Sequence, residues 1–181
     1  MSNPVLIGVF DNGVLWWGLA ACGVAQLSKL VIELVVHRRW NPRVLVETGG
    51  MPSSHSALLT GTTAALGWVE GFGGPLFGLA AVLCFVVLYD ASGVRRAAGL
   101  TAARVNAMGE IQMGEIKTGE IQPDSANPRQ HEKPLKENLG HTRLEVLIGS
   151  LIGPLVALPG LVLAGSPLHL AQALGWLAPI G

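Results

Sequence analysis

The chain has 181 residues, half of them apolar and only 13% charged, with a mean hydropathy of +0.47 and twelve basic residues balanced by twelve acidic ones. A water-soluble domain carries roughly a quarter charged residues and a nucleic-acid binder a basic excess, so both classes are excluded. The 24 glycines suit closely packed membrane helices, while Cys22 and Cys84, each inside an apolar run with no Cys or His at ligand spacing, offer neither a disulfide framework nor a metal site.

The N-terminal stretch MSNPVLIGVFDNGVLWW lacks a basic leader region and reads as a short interfacial segment. Four apolar stretches follow, at 15–36, 56–69, 75–89 and 144–164. A span needs about 20 residues, so the second and third are expected to run past their apolar windows, to tilt, or to lie partly inside protein. Residues 91–108 continue the third span as a polar helix carrying Arg95, Arg96 and Arg104. In the next segment the triplet GEI recurs at Gly109, Gly114 and Gly119, a period of five that matches neither helix nor strand. Residues 109–134 are therefore expected to form a mobile cytoplasmic loop, kept irregular by Pro123, Pro128 and Pro134. A short helix over 133–139 would lead into the fourth span, and 167–180 offers a fifth, interfacial or re-entrant helix. The expected fold is all-α: a polytopic transmembrane bundle of four or five helices, forming a single membrane domain over residues 1–181.

All twelve Lys and Arg lie between Lys29 and Arg143. Arg38, Arg39 and Arg43 follow the first span, and most of the others separate the third from the fourth. The positive-inside rule places both of those loops in the cytoplasm, and the N-terminus and tail on the far side. In a photosynthetic cell the membrane could be plasma or thylakoid; in a bacterium it would be the inner membrane.

Polar residues gather toward this basic side. Gln26, Lys29, Glu33 and His37 share one face of the first span. Ionisable groups at that depth usually face a bundle interior or a polar cavity, although a structural Lys29–Glu33 pair explains them too. GGMPSSHSA, residues 49–57, supplies a glycine turn, Pro52 suited to a first helical turn, and Ser53 and Ser54 to cap it. A helix start binds anions, and His55 there can donate a proton; a plain cap beside a solvated histidine fits equally well. YDASGVRR, residues 89–96, sets Arg95 and Arg96 at a membrane surface, as phosphate forks or as simple anchors. In GHTRLEVLIGSLIG, residues 140–153, His141 and Glu145 are four apart, placing a carboxylate against an imidazole. Two histidines, several cations and an orienting acid at one face are what phosphomonoester chemistry requires.

Lys29, then Pro52-Ser53-Ser54-His55, then His141-x3-Glu145 with Val146 and Gly149 following, resembles the type 2 phosphatidic acid phosphatase and vanadium haloperoxidase superfamily. GGMPSSHSA, YDASGVRR and LGHTRLEVLIG look most like its small divergent branch of acid phosphatase/haloperoxidase-related membrane proteins, over residues 15–163. The resemblance implies His141 as a nucleophile forming phosphohistidine, Glu145 as its orienting acid and His55 as general acid. It makes Ser53 a phosphate ligand and Lys29 the candidate for the phosphate-binding lysine, and Ser54 joins them as a candidate from its place at the helix start. This sequence has Ser54 where the superfamily has Gly and Glu145 where it has Asp. It has Val36 and Leu135 where the superfamily has Arg, so Arg95, Arg96 and Lys136 are the cations left to complete the cradle. The implied activity is hydrolysis of a prenyl or phosphatidyl phosphate monoester at the cytoplasmic membrane surface, without cofactor or metal; vanadate-dependent halogenation is a minor variant on the same anion site. The alternative is a catalytically inactive scaffold, assembly or lipid-binding protein that keeps the fold. A small transporter built on the polar stripe of the first span would need polar residues deep in several spans, and the third and fourth are apolar to their far ends.

Overall fold

A computed structural model describes residues 4–45, 50–118, 135 and 139–177. Among these the regular structure is helical. In chain order it comprises α1 (Pro4–Phe10), α2 (Gly13–Val35), a single 3₁₀ turn (Pro42–Leu45), α3 (Ser54–Glu70), α4 (Pro75–Ser92), α5 (Val94–Thr118), α6 (Arg143–Ala164) and α7 (Pro167–Ala173). Among the described residues three stretches are long and apolar enough to cross a membrane: Gly13–Val35, Pro75–Met108 and Arg143–Ala164. α4 leaves Leu76, Leu79, Val82, Leu83, Phe85 and Val86 exposed. In water such a surface would be a large liability; in hydrocarbon it is the ordinary outer face of a span.

Small residues hold the bundle together. Ala21 and Ala25 on α2, Ala57 and Ala65 on α3, and Ala157 on α6 are completely buried, and Gly18, Gly61, Gly149 and Gly153 extend the same stripes. A Cβ on Gly153 would sit 2.6 Å from the Ala57 carbonyl and 2.5 Å from the Gly61 nitrogen, so α3 and α6 touch backbone to backbone. Lipid offers no hydrophobic drive between helices, and close van der Waals approach replaces it.

Pairings along the stripes fix direction. Gly149 meets Ser53 and Gly153 meets Ala57, Thr60 and Gly61, so α3 and α6 run parallel. Gly18 meets Thr62 and Gly13 meets Leu161 and Gly165, so α2 runs antiparallel to both. The C-terminal end of α2, the N-terminal ends of α3 and α6, and the C-terminal end of α4 therefore share one end of the bundle. That is the basic end. At the other end Trp17 Nε1 donates to the Gly165 carbonyl at 2.7 Å and the Ser166 hydroxyl donates to Asp11 at 2.6 Å.

Two expectations change. The helix after α4 does not stop at Met108 but continues to Thr118, across 109–118, which the GEI period had given to a loop. Glu, Gln, Met, Ile and Lys dominate that stretch, and their helix propensity outweighs the cost of Gly109 and Gly114. Residues 119–134, and most of the short helix expected over 133–139, lie outside the described residues. The tail helix is also shorter than expected, ending at Ala173 before Gly175 with φ +72°.

Candidate functional site at the basic end of the bundle

The His141–Glu145 pair forms, by a different local route from the expected helix face. α6 starts at Arg143, so His141 stands just outside it. Gly140, with φ +78°, turns the chain so tightly against the Arg95–Arg96 backbone that a Cβ there would overlap it. The His141 amide then donates to the Ala91 carbonyl at 2.9 Å. Thr142 caps α6, its hydroxyl accepting from the Glu145 amide at 3.2 Å, while Glu145 Oε2 accepts from the Thr142 amide at 3.0 Å. This is a reciprocal capping box. The same Oε2 lies 3.0 Å from His141 Nδ1. Only 5% of His141 is exposed, so the ring cannot swing away to water. The capping role of Glu145 was missed, although Thr-x-x-Glu before an apolar run is a recognisable signature.

At α3, Pro52 precedes the cap instead of opening the helix, and its peptide bond with Met51 is cis. Ser53 is the N-cap. Its hydroxyl accepts from the Ser56 amide at 3.3 Å and from the Ser56 hydroxyl at 2.8 Å, and its own amide donates to the Glu145 carbonyl at 3.1 Å. That last bond ties the starts of α3 and α6 together. Ser53 and Ser54 are buried and His55 is exposed. The amides of Ser54 and His55, one turn too early for intrahelical bonds, have no partner among the described residues.

Lys29 is 3% exposed. It forms no ion pair or hydrogen bond with any described residue; Glu145 is the carboxylate whose field it feels most. The simple Lys29–Glu33 pair does not form, because Glu33 is taken by His37 at 2.9 Å. Three helices thus bring Lys29, His55, His141 and Glu145 into one electrostatic neighbourhood. His55 feels His141, Arg95 and Lys29. Loss of hydration is the larger effect on its ring and these neighbours add to it, pushing the His55 pKa below the ordinary histidine value.

The remaining expected cations divide. Arg95 reaches the neighbourhood electrostatically, but its Nε is bonded to Asp90 at 2.7 Å across the break at Gly93. Arg96 is exposed and makes no hydrogen bond or ion pair with the described residues. Lys136 lies outside the described residues.

The comparisons with known proteins fit this picture. A family model described as "Divergent PAP2 family" matches residues 10–156. An uncharacterised membrane protein of Bacillus subtilis (strain 168), YuiD, is 36% identical over 150 residues, covering 83% of this chain and 94% of the relative. No solved structure matches the chain. With most of its length inside the family model, and a relative matched nearly end to end, the chain belongs to the divergent PAP2 family of membrane proteins.

Proposed function

We propose that the protein is an integral membrane phosphatase that hydrolyses a lipid phosphate monoester through a phosphohistidine. The observation that carries this reading is Lys29: a buried ammonium with no partner among the described residues, on the helix next to the Ser54 and His55 amides, which likewise have none there. A buried charge is costly unless compensated, and a helix start is an anion site; a phosphoryl group satisfies both.

The chemistry follows from the hydrogen bonds. The Glu145 carboxylate accepts from His141 Nδ1–H and leaves the Nε2 lone pair for phosphorus. The His141–phosphorus bond forms as the bond from phosphorus to the ester oxygen breaks. His55 gives its proton to that oxygen, and the alcohol leaves. Water then attacks the phosphohistidine, regenerating His141 and releasing phosphate. The superfamily resemblance and the apolar outer face support a lipid substrate, prenyl or phosphatidyl. The charge distribution supports a site on the cytoplasmic side of a bacterial inner or thylakoid membrane.

One observation favours the alternative, an inactive scaffold or lipid-binding protein with the same fold: Arg95 is committed to Asp90, which takes one expected cation from the cradle. The two readings separate in detergent-solubilised protein offered a panel of prenyl and phosphatidyl phosphates. Turnover by the wild type, abolished in His141→Ala, is the expected result. A wild type that releases no phosphate from any of them overturns the enzymatic reading and leaves the scaffold.

A further inference from the structure

The same face of α2 carries a second group that its surroundings leave incomplete. Gln26 lies one turn before Lys29, close enough for the two side chains to share a surface. Its Nε2 donates to the Leu45 carbonyl at 3.0 Å, on the 3₁₀ turn that folds back along α2. This bond fixes the orientation of the amide: reversed, it would set one carbonyl oxygen against another. The other branch, Oε1, is enclosed and has no donor among the described residues. A buried carbonyl left without a donor costs stability, and its enclosure keeps bulk water from supplying one. Among the described residues Lys29 lacks an acceptor and Gln26 Oε1 lacks a donor, so a ligand that carries both acceptors and a donor completes the two groups together. A sulfate or a fully ionised phosphate serves only the first; a phosphate that keeps one proton serves both.

We propose that Gln26 selects the protonation state of the ligand, accepting a hydrogen bond from the P–OH of a phosphate monoanion while Lys29 donates to its other oxygens. This rests on the reading of the site as a phosphoryl site, and it narrows the ligand to the singly ionised form of a phosphomonoester. Charge alone predicts the opposite preference: on the acid side of phosphate's second ionisation, sulfate carries the larger negative charge. The titratable groups that act on Lys29 are Glu145 at the start of α6 and Cys22 on α2, and Lys29 in turn acts on His55 of α3, which also feels His141 and Arg95; Glu33, one turn further along α2, is held by His37. Their titration acts on any bound anion, so the informative quantity is the ratio of phosphoryl-ligand to sulfate affinity.

The test is calorimetric binding of methylphosphonate, a non-hydrolysable stand-in for a phosphomonoester that keeps one P–OH before its second ionisation and none after it, and of sulfate, to the full chain in detergent, on both sides of that ionisation. On the acid side the phosphonate is expected to bind about tenfold more tightly than sulfate, the worth of a hydrogen bond in a charged complex. The preference should fade as the phosphonate loses its last proton. Gln26→Leu should remove the acid-side preference and leave sulfate binding unchanged. A ratio that is flat or grows with pH, or a Gln26→Leu that weakens both anions alike, overturns the proposal; if that variant does not fold, the wild-type ratio decides alone. If neither anion binds the wild type, the phosphoryl reading falls as well. If both bind and Lys29→Met abolishes both while the ratio stays flat, that reading stands and only the role of Gln26 is lost.

Discussion

Glu145 serves two purposes with one oxygen. Oε2 closes the capping box of α6 and also holds His141 Nδ1, so the acid that would orient a nucleophile is itself positioned by the helix it caps. An aspartate, one methylene shorter, would have to give up one of these contacts, which accounts for a glutamate here. His55 differs because the residue keeps access to solvent, yet partial loss of hydration and then its charged neighbours bear on its ring. As general acid it must carry a proton, and its lowered pKa means that it carries one only on the acid side of the ordinary histidine value of about 6.5. Phosphate release should therefore fall as pH rises through a value below that, and His55→Gln should remove this limb of the pH profile while slowing the acid-side rate by roughly a hundredfold. Stability runs the other way. The unfolded ring takes up a proton more readily than the folded one, so the fold loses the His55 contribution as pH falls from the ordinary value through the depressed one. Rate and thermal midpoint measured over one pH series would reveal the opposed slopes; a rate that climbs through neutrality would remove His55 as the acid.

The helix element that matters most is the contact between α3 and α6. The Ser53–Glu145 hydrogen bond and the seating of Gly149 and Gly153 against α3 belong to the same contact, so packing and site geometry are coupled. Gly153→Val forces a branched side chain against the backbone of Ala57 and Gly61. It should cost about 1–3 kcal/mol or more, the usual range for overpacking, and should reduce activity further than the stability loss explains. The equivalent change at exposed Gly78, with nothing within 4 Å of its Cβ, should be nearly silent. Thermal unfolding in detergent, paired with the phosphatase assay, would check both; equal effects would mean that α3 and α6 are not in contact. This contact was legible only in part. The apolar runs of the spans, the cap at Ser53 and the His141–Glu145 spacing are local patterns, and local patterns survive folding. The enclosure of Gln26, the diversion of Glu33 to His37 and of Arg95 to Asp90, and the Gly140 turn against α5 depend on contacts between distant segments, which spacing along one helix does not encode. The continuation of α5 was misread for a related reason: a five-residue repeat carried less weight than the helix propensity of the residues filling it.

At the scale of the whole molecule, the antiparallel and parallel pairings place every histidine, acid and cation of the candidate site at one end and the α3–α4 turn at the other. Charge then assigns the ends. The basic end, with Arg38 and Arg39 after α2 and Arg95, Arg96 and Arg104 after α4, should stay in the cytoplasm, because moving such loops across the bilayer is disfavoured. The turn at 71–74 and the Asp11–Ser166 contact carry no Lys or Arg and should face outward. In a background with Cys22→Ala and Cys84→Ala, a membrane-impermeant thiol reagent should label Gly73→Cys on intact cells, and should label Arg39→Cys only after permeabilisation. Both positions are exposed, so failure to label would not come from burial. The reverse pattern would place the histidines outside the cytoplasm and make the substrate an outer-leaflet lipid. Labelling of both from the same side would mean that α3, which lies between them and is shorter than the three long apolar stretches, does not cross the membrane.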